Sequence, residues 1–141
     1  MRIVVIGAGV MGLLTAFKLA KAGHQVTILE KNAQSTESSW AGGGIVSPMY
    51  PWRYAPAVTA LAQLAQAEYP LLAQELLQLT GINIELNQCG MLMLNADDKR
   101  DALVWAEQYQ QQINYLSQTQ IRQLSPLLAT AFVDGIWLPQ V

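Results

Sequence analysis

Cysteine is all but missing from this 141-residue chain: Cys89 stands alone. A single thiol cannot close a disulfide within the chain, so no covalent framework holds the fold. That usage fits a reducing compartment, and the chain is read as cytoplasmic. Unpaired cysteine behaves as a small hydrophobe, so Cys89 is expected to be buried. Histidine is as scarce. His24 follows Gly23 at the end of a helical pattern and reads as a surface turn residue. With no CxxC pair and no histidine cluster, the sequence offers no metal site. Charge is thin too, at 13% of residues with a net charge of −2. No Lys/Arg run exists to neutralise phosphates, which excludes nucleic acid as a partner. No apolar run reaches the roughly 20 residues that a bilayer span needs. Arg2 and the apolar stretch from Ile3 to Phe17 mimic a secretory leader, but three glycines interrupt it. Neither a targeting segment nor a membrane span is expected.

What is present is apolar: 52% of the residues, enough for a real core and too much for a disordered chain. Ile3 to Ile6 is a continuous run rich in β-branched residues, as in a parallel strand covered on both faces. Gly7 ends it. A helix is predicted from Val10 to Ala22, with Leu13, Leu14, Phe17 and Ala20 inward and Gly23 as its stop. Gln25 to Glu30 forms a second strand, and a right-handed crossover sets the two strands side by side and parallel. Residues 32–55 have no period. Trp40, Tyr50, Trp52 and Tyr54 argue for an ordered loop packed on a ligand rather than for disorder.

Pro56 to Thr80 reads as a long helix or a helix pair, entered through a proline and stopped at Gly81. Pro70 is expected to kink or split it. Ile82–Leu86 reads as a short strand and Gly90–Leu94 as a better one. Asn95 is placed to cap a helix over Asp97–Gln111, whose inner face is Ala102, Trp105, Ala106 and Tyr109. A short helix over Gln118–Leu124 and a last strand over Gly135–Leu138 complete the reading. No third βα repeat follows, so the chain looks cut off, and a partner chain or homo-oligomer is the expected source of further strands.

The chemistry lies in Gly7-Ala8-Gly9-Val10-Met11-Gly12, set between a strand and a helix. Gly7 permits the tight turn, Gly9 lets a pyrophosphate approach the backbone, and Gly12 allows close helix–strand packing. Backbone N–H groups and the helix dipole then favour phosphates. Glu30 ends the second strand 18 residues beyond Gly12. There its carboxylate can accept hydrogen bonds from ribose hydroxyls and would repel a 2′-phosphate, disfavouring NADP. A bare glycine fingerprint would be weak evidence, but here strand, turn, helix, second strand and terminal acid agree. A second cluster, Ser38-Ser39-Trp40-Ala41-Gly42-Gly43-Gly44, offers hydroxyls and exposed backbone N–H groups where a plain NAD domain more often starts another helix. It favours FAD over NAD.

The run MRIVVIGAGVMGLLTAFKLAKAGHQVTILEK with the following SSWAGGGIVSPMYPWRY resembles the FAD-dependent D-amino-acid oxidase superfamily, and within it the glycine oxidases of thiamine biosynthesis. CGMLML and QLSPLLATAFVDGIWLP look like the opening of that family's substrate domain. The resemblance implies an α/β fold: a Rossmann-like FAD-binding βαβ unit over 1–86, then the start of a mixed α+β substrate domain over 87–141, both incomplete. It implies that Gly7, Ala8, Gly9, Val10, Met11 and Gly12 hold the pyrophosphate. Glu30 and Lys31 would surround the adenosine, and Ser38, Ser39, Gly43, Gly44 and Ile45 would line the rest of the FAD site. Family members take a hydride from the amine-bearing carbon of a small amine or amino acid, with dioxygen the expected acceptor. Their substrate-binding arginine and tyrosine lie beyond this stretch, so no catalytic residue is assigned and no turnover is expected from it alone. Arg53 and Tyr54 are weak stand-ins. A non-catalytic or truncated dinucleotide-binding module, and an NAD-dependent dehydrogenase domain, remain the other readings.

Overall fold

The computed structural model describes residues 1–32, 37–95, 97–128 and 132–141. It divides into two compact units, Met1–Ile45 and Val46–Val141. The domain border expected at 86/87 is a different division, since the compact units part well before the long helix.

In the first unit, strand β1 (Arg2–Ile6), helix α1 (Val10–Lys21) and strand β2 (Gln25–Leu29) make one βαβ element. The strands pair in parallel, with Arg2 opposite Gln25 and Ile6 opposite Leu29. Helix α1 ends where the sequence placed its stop, with Gly23 in the left-handed region at φ 83°. Ala16 is its buried residue. The run Ile3–Ile6 was expected to be covered on both faces. Instead its residues alternate, with Ile3 and Val5 half-buried while Val4 and Ile6 are exposed. Among the described residues of this unit, only one face of the two-stranded sheet has a helix over it.

The second unit is built on an antiparallel sheet of β3 (Met91–Leu94), β5 (Asp134–Leu138) and β4 (Asn114–Ser117), in the order β3-β5-β4. The last strand in sequence is thus the central one. Its Ile136 is fully buried and sits in a core with Met93, Leu138 and Ala102 of helix α3 (Lys99–Gln108). Tyr50, Trp52, Trp105, Ile113 and Val141 pack against that core. Helix α4 (Gln118–Leu124) opens on a capping box: the Ser117 hydroxyl accepts from the Gln120 N–H, and the Gln120 side chain accepts from the Ser117 N–H at 2.9 Å. That box fixes where β4 turns into α4.

Helix α2 (Pro56–Thr80) runs unsplit through Pro70 and closes on Gly81 at φ 72°. The proline removes one N–H from the ladder but does not divide the element, so of the kink or split expected there the split is absent. Three other expectations fail. Ile82–Leu86 is not a strand: the Asn83 side chain accepts from the Glu85 N–H at 2.9 Å and Glu85 takes φ 57°, which bends the segment out of any ladder. Asn95 does not cap a helix at Asp97. It takes φ 49°, its side chain accepts from the Val133 N–H, and α3 starts later, at Lys99. Cys89 is exposed rather than buried.

Candidate cofactor-binding site

The candidate site lies wholly within Met1–Ile45. Its scaffold is the turn between β1 and α1. Gly7 stands at φ 97°, a left-handed conformation that side-chain-bearing residues avoid, and its N–H donates to the Leu29 carbonyl at 2.7 Å. Gly9 is the extended N-cap residue of α1. Val10 and Met11 occupy the exposed first turn of the helix, which carries no acidic residue there and has Lys18 and Lys21 near its end. The positive end of the helix dipole is therefore not neutralised by its own side chains. Gly12 faces back onto the turn: a Cβ there would overlap the Gly7 carbonyl oxygen and touch Val5.

Glu30 reaches across from the end of β2. One carboxylate oxygen accepts from the Ala8 N–H at 2.7 Å and the other from the Asn32 N–H at 3.1 Å. The bond from Ala8, then that from Asn32, holds this carboxyl below its ordinary value of 4.5, against a smaller opposing effect of burial. Ser39 comes from the second cluster. Its hydroxyl oxygen accepts from the Val10 N–H at 2.9 Å and would lie 3.0 Å from a Cβ on Gly9. Lys31 pairs with Glu37 at 2.9 Å on the exposed rim. Gly43, Gly44 (φ 72°) and Ile45 follow on the same exposed segment, as does Ser38.

The structure thus brings Gly7, Ala8, Gly9, Val10, Gly12, Glu30 and Ser39 to one place. Ser39 is the member whose role in the turn was least legible, because 29 residues separate it from Val10. These groups fit a dinucleotide: backbone that approaches closely, a helix start with no acidic residue of its own, a hydroxyl at its first N–H, and a carboxylate at the neighbouring strand's end.

Arg53 is not free for a substrate carboxylate. In the second unit its Nε donates to Asp98 at 2.5 Å, and its guanidinium lies 4.0 Å from the centre of the Tyr50 ring. The Trp52 indole N–H donates to the same Asp98 oxygen at 2.5 Å. The Arg53 bond, then that from Trp52, lowers the Asp98 carboxyl against the opposing effect of burial. By sequence Asp98 falls only within the helix expected over Asp97–Gln111. No local pattern announces a partner 45 positions upstream.

Comparison with known proteins agrees with this geometry. The family model described as FAD dependent oxidoreductase matches residues 2–141. A glycine oxidase of Pseudomonas aeruginosa is 46% identical over 140 residues, covering 99% of this chain and 38% of that relative. A D-amino acid dehydrogenase of Cereibacter sphaeroides is 49% identical over 65 residues, covering 44% of this chain and 15% of its own length. Among solved structures, glycine oxidase from Geobacillus kaustophilus superposes with a TM-score of 0.87 at 27% identity, covering 99% of this chain and 40% of its own. The chain therefore spans about 38% of the length of the glycine oxidase it matches. A glycine turn closed by Glu30, together with a family match along nearly the whole sequence, makes the chain a member of the FAD dependent oxidoreductase family.

Proposed function

We propose that this chain is the cofactor-holding N-terminal part of an oxidoreductase acting on amines or amino acids, of the glycine oxidase or D-amino-acid oxidase kind. The observation that carries the reading is the Glu30 carboxylate tied to the Ala8 N–H, which locks the end of β2 to the glycine turn. Gly7 to Gly12 would hold the pyrophosphate on backbone N–H groups, with Ser39 exchanging its bond to Val10 for one to a phosphate oxygen. Glu30 would accept from the adenosine ribose hydroxyls, Lys31 would flank the adenosine, and Ser38, Gly43, Gly44 and Ile45 would continue the contact surface. Bound FAD supplies the hydride-accepting chemistry that side chains lack. The family is FAD-dependent. The dehydrogenase likeness covers less than half of the chain and so supports a shared cofactor frame rather than a shared substrate.

On this reading the protein works in the cytoplasm, its substrate is a small amino acid such as glycine, and the pathway served is thiamine biosynthesis. Residues 87–141 begin the substrate domain. Among the described residues no helix is long and apolar enough to cross a membrane.

The purified chain, incubated with FAD and desalted, should show a flavin absorption band and release no peroxide with glycine. A colourless protein that binds NADH instead would overturn the assignment. Binding should also depend on pH through Glu30. Because its folded value is lowered, the bonds to Ala8 and Asn32 are fully present above pH 4.5 and are lost as pH falls through that lowered value. FAD affinity followed by flavin fluorescence should therefore hold steady from neutrality down to pH 4.5 and weaken only as pH falls through the lowered value. Glu30→Gln should remove that acid limb, and an unchanged acid limb in the variant would rule out Glu30 as its source.

A further inference from the structure

Glu37 joins the two sides of the glycine turn. On one side, Glu30 accepts from the Ala8 N–H at 2.7 Å and, through its other oxygen, from the Asn32 N–H at 3.1 Å. On the other, the Ser39 hydroxyl accepts from the Val10 N–H at 2.9 Å. Glu37 lies between them. Its Oε1 accepts from the Asn32 side-chain amide at 3.0 Å and from the Lys31 ammonium at 2.9 Å, which ties it to the two residues that follow Glu30. Its backbone carbonyl accepts from the Trp40 N–H at 3.0 Å and the Ala41 N–H at 3.3 Å. Ala8, Glu30, Asn32, Glu37, Ser39 and Val10 thus make a ring of contacts that starts and ends on donors of the same turn.

An exposed ion pair adds little to stability, and Lys31 and Glu37 are 73% and 58% exposed. This one has a different use. A single carboxylate oxygen takes an amide and an ammonium from adjacent residues, so Glu37 is fixed in direction as well as by charge. The two N–H bonds to its carbonyl bracket Ser39, so the place of Glu37 sets the place of the Ser39 hydroxyl. Remove the Glu37 side chain, and the serine cluster loses this hold on the end of β2.

We propose that Glu37 is a positioning residue of the cofactor site: it sets the Ser39 hydroxyl over the first N–H of α1, where a phosphate oxygen is received, and holds the Lys31 ammonium beside the end of β2. It acts through those two residues. The ligand in this statement rests on the cofactor reading above, while the geometry does not.

The test is amide hydrogen exchange of the ligand-free chain by NMR, with FAD affinity read separately by flavin fluorescence. Glu37→Ala should speed exchange of the Val10 amide about fivefold or more, as Ser39→Ala does, because both release the same donor. Glu37→Gln should restore protection, since its amide oxygen still accepts from Asn32 and Lys31. All three variants should keep the parent circular dichroism, because these side chains are exposed. FAD affinity should fall about five- to tenfold in Glu37→Ala, the loss of one net hydrogen bond. Ser39→Ala should cost nothing further in that background. Val10 exchange unchanged by Glu37→Ala would overturn the proposal. So would Ser39→Ala weakening FAD equally with and without Glu37, since only independent sites add. A glutamine variant as unprotected as the alanine variant would also overturn it, because the bonding oxygen is still there. A parent chain that protects Val10 through Glu37 yet binds no FAD counts against the cofactor reading and leaves the positioning of Ser39 standing.

Discussion

Gly12→Ala should strip the protein of its cofactor. The added methyl has nowhere to go, because its position coincides with the Gly7 carbonyl oxygen and lies 3.6 Å from Val5. Backbone cannot swing aside as a long side chain does, so α1 must lift away from β1. Overpacking costs roughly 1–3 kcal/mol when side chains can adjust, and a backbone clash sits at or above that range. The unit that must absorb it is small, and Ala16 is its buried apolar residue among those described. Lifting α1 also carries the Val10 N–H away from Ser39 and disturbs the turn that Glu30 holds through Ala8. We expect FAD affinity to fall by about a hundredfold or more, equivalent to about 2.7 kcal/mol. Thr15→Ala is the control: Thr15 is exposed on the same helix and lies outside the candidate site, and its affinity should stay near the parent's. Flavin fluorescence titration of both variants checks this. Equal affinities for the two would sink the claim that close helix–strand contact at Gly12 shapes the site.

The second large effect belongs to Gly90→Ala. Gly90 stands at φ 76°, and a Cβ there would overlap the six-membered ring of Trp137 on β5. The left-handed backbone costs a side-chain-bearing residue roughly 1–2 kcal/mol, and displacing the indole adds roughly 1–3 kcal/mol. The sum is about 2–5 kcal/mol, enough to lower the melting temperature of a unit this size by about 8 °C or more. Thermal unfolding followed by near-ultraviolet circular dichroism reads both the melting point and the tryptophan environment. Adding Trp137→Leu should recover the clash component but not the backbone component, so the double variant should melt between Gly90→Ala and the parent. A melting point unchanged by Gly90→Ala would show that the ring has room to move.

The same two glycines explain what sequence could and could not reveal. Gly12 was legible because its partner, Gly7, lies five residues away in a motif whose spacing encodes the contact. Gly90 was not, because Trp137 reaches it through sheet pairing that no local pattern announces. The long helix was bounded well by Pro56 and Gly81, which act on neighbouring backbone. The start of α3 was misplaced because Asp98 bonds sideways to Trp52 and Arg53 instead of offering its side chain to the helix start. β4 escaped notice as a four-residue strand with no alternation long enough to register, although Ser117 and Gln120 mark its end. Cys89 was misjudged by composition, which says how cysteines usually behave and nothing of where this one sits. In the candidate site, the turn, Glu30 and the serine cluster were all readable. The hydroxyl that reaches Val10 was not, because it depends on how the loop folds back.

That Ser39 contact has a kinetic side. With Ala8 bonded to Glu30 and Val10 bonded to Ser39, two of the turn's donors already have acceptors, so the empty turn has no reason to collapse. An arriving phosphate finds a template already in shape and loses little freedom in ordering it. It gains less than a new hydrogen bond at Val10, however, because it exchanges places with a hydroxyl. Exchange needs only a rotation of one exposed side chain, a motion of picoseconds to nanoseconds. Capture should then be limited by diffusion and orientation rather than by rearrangement of the turn, and Ser39→Ala should change the strength of holding more than the speed of arrival.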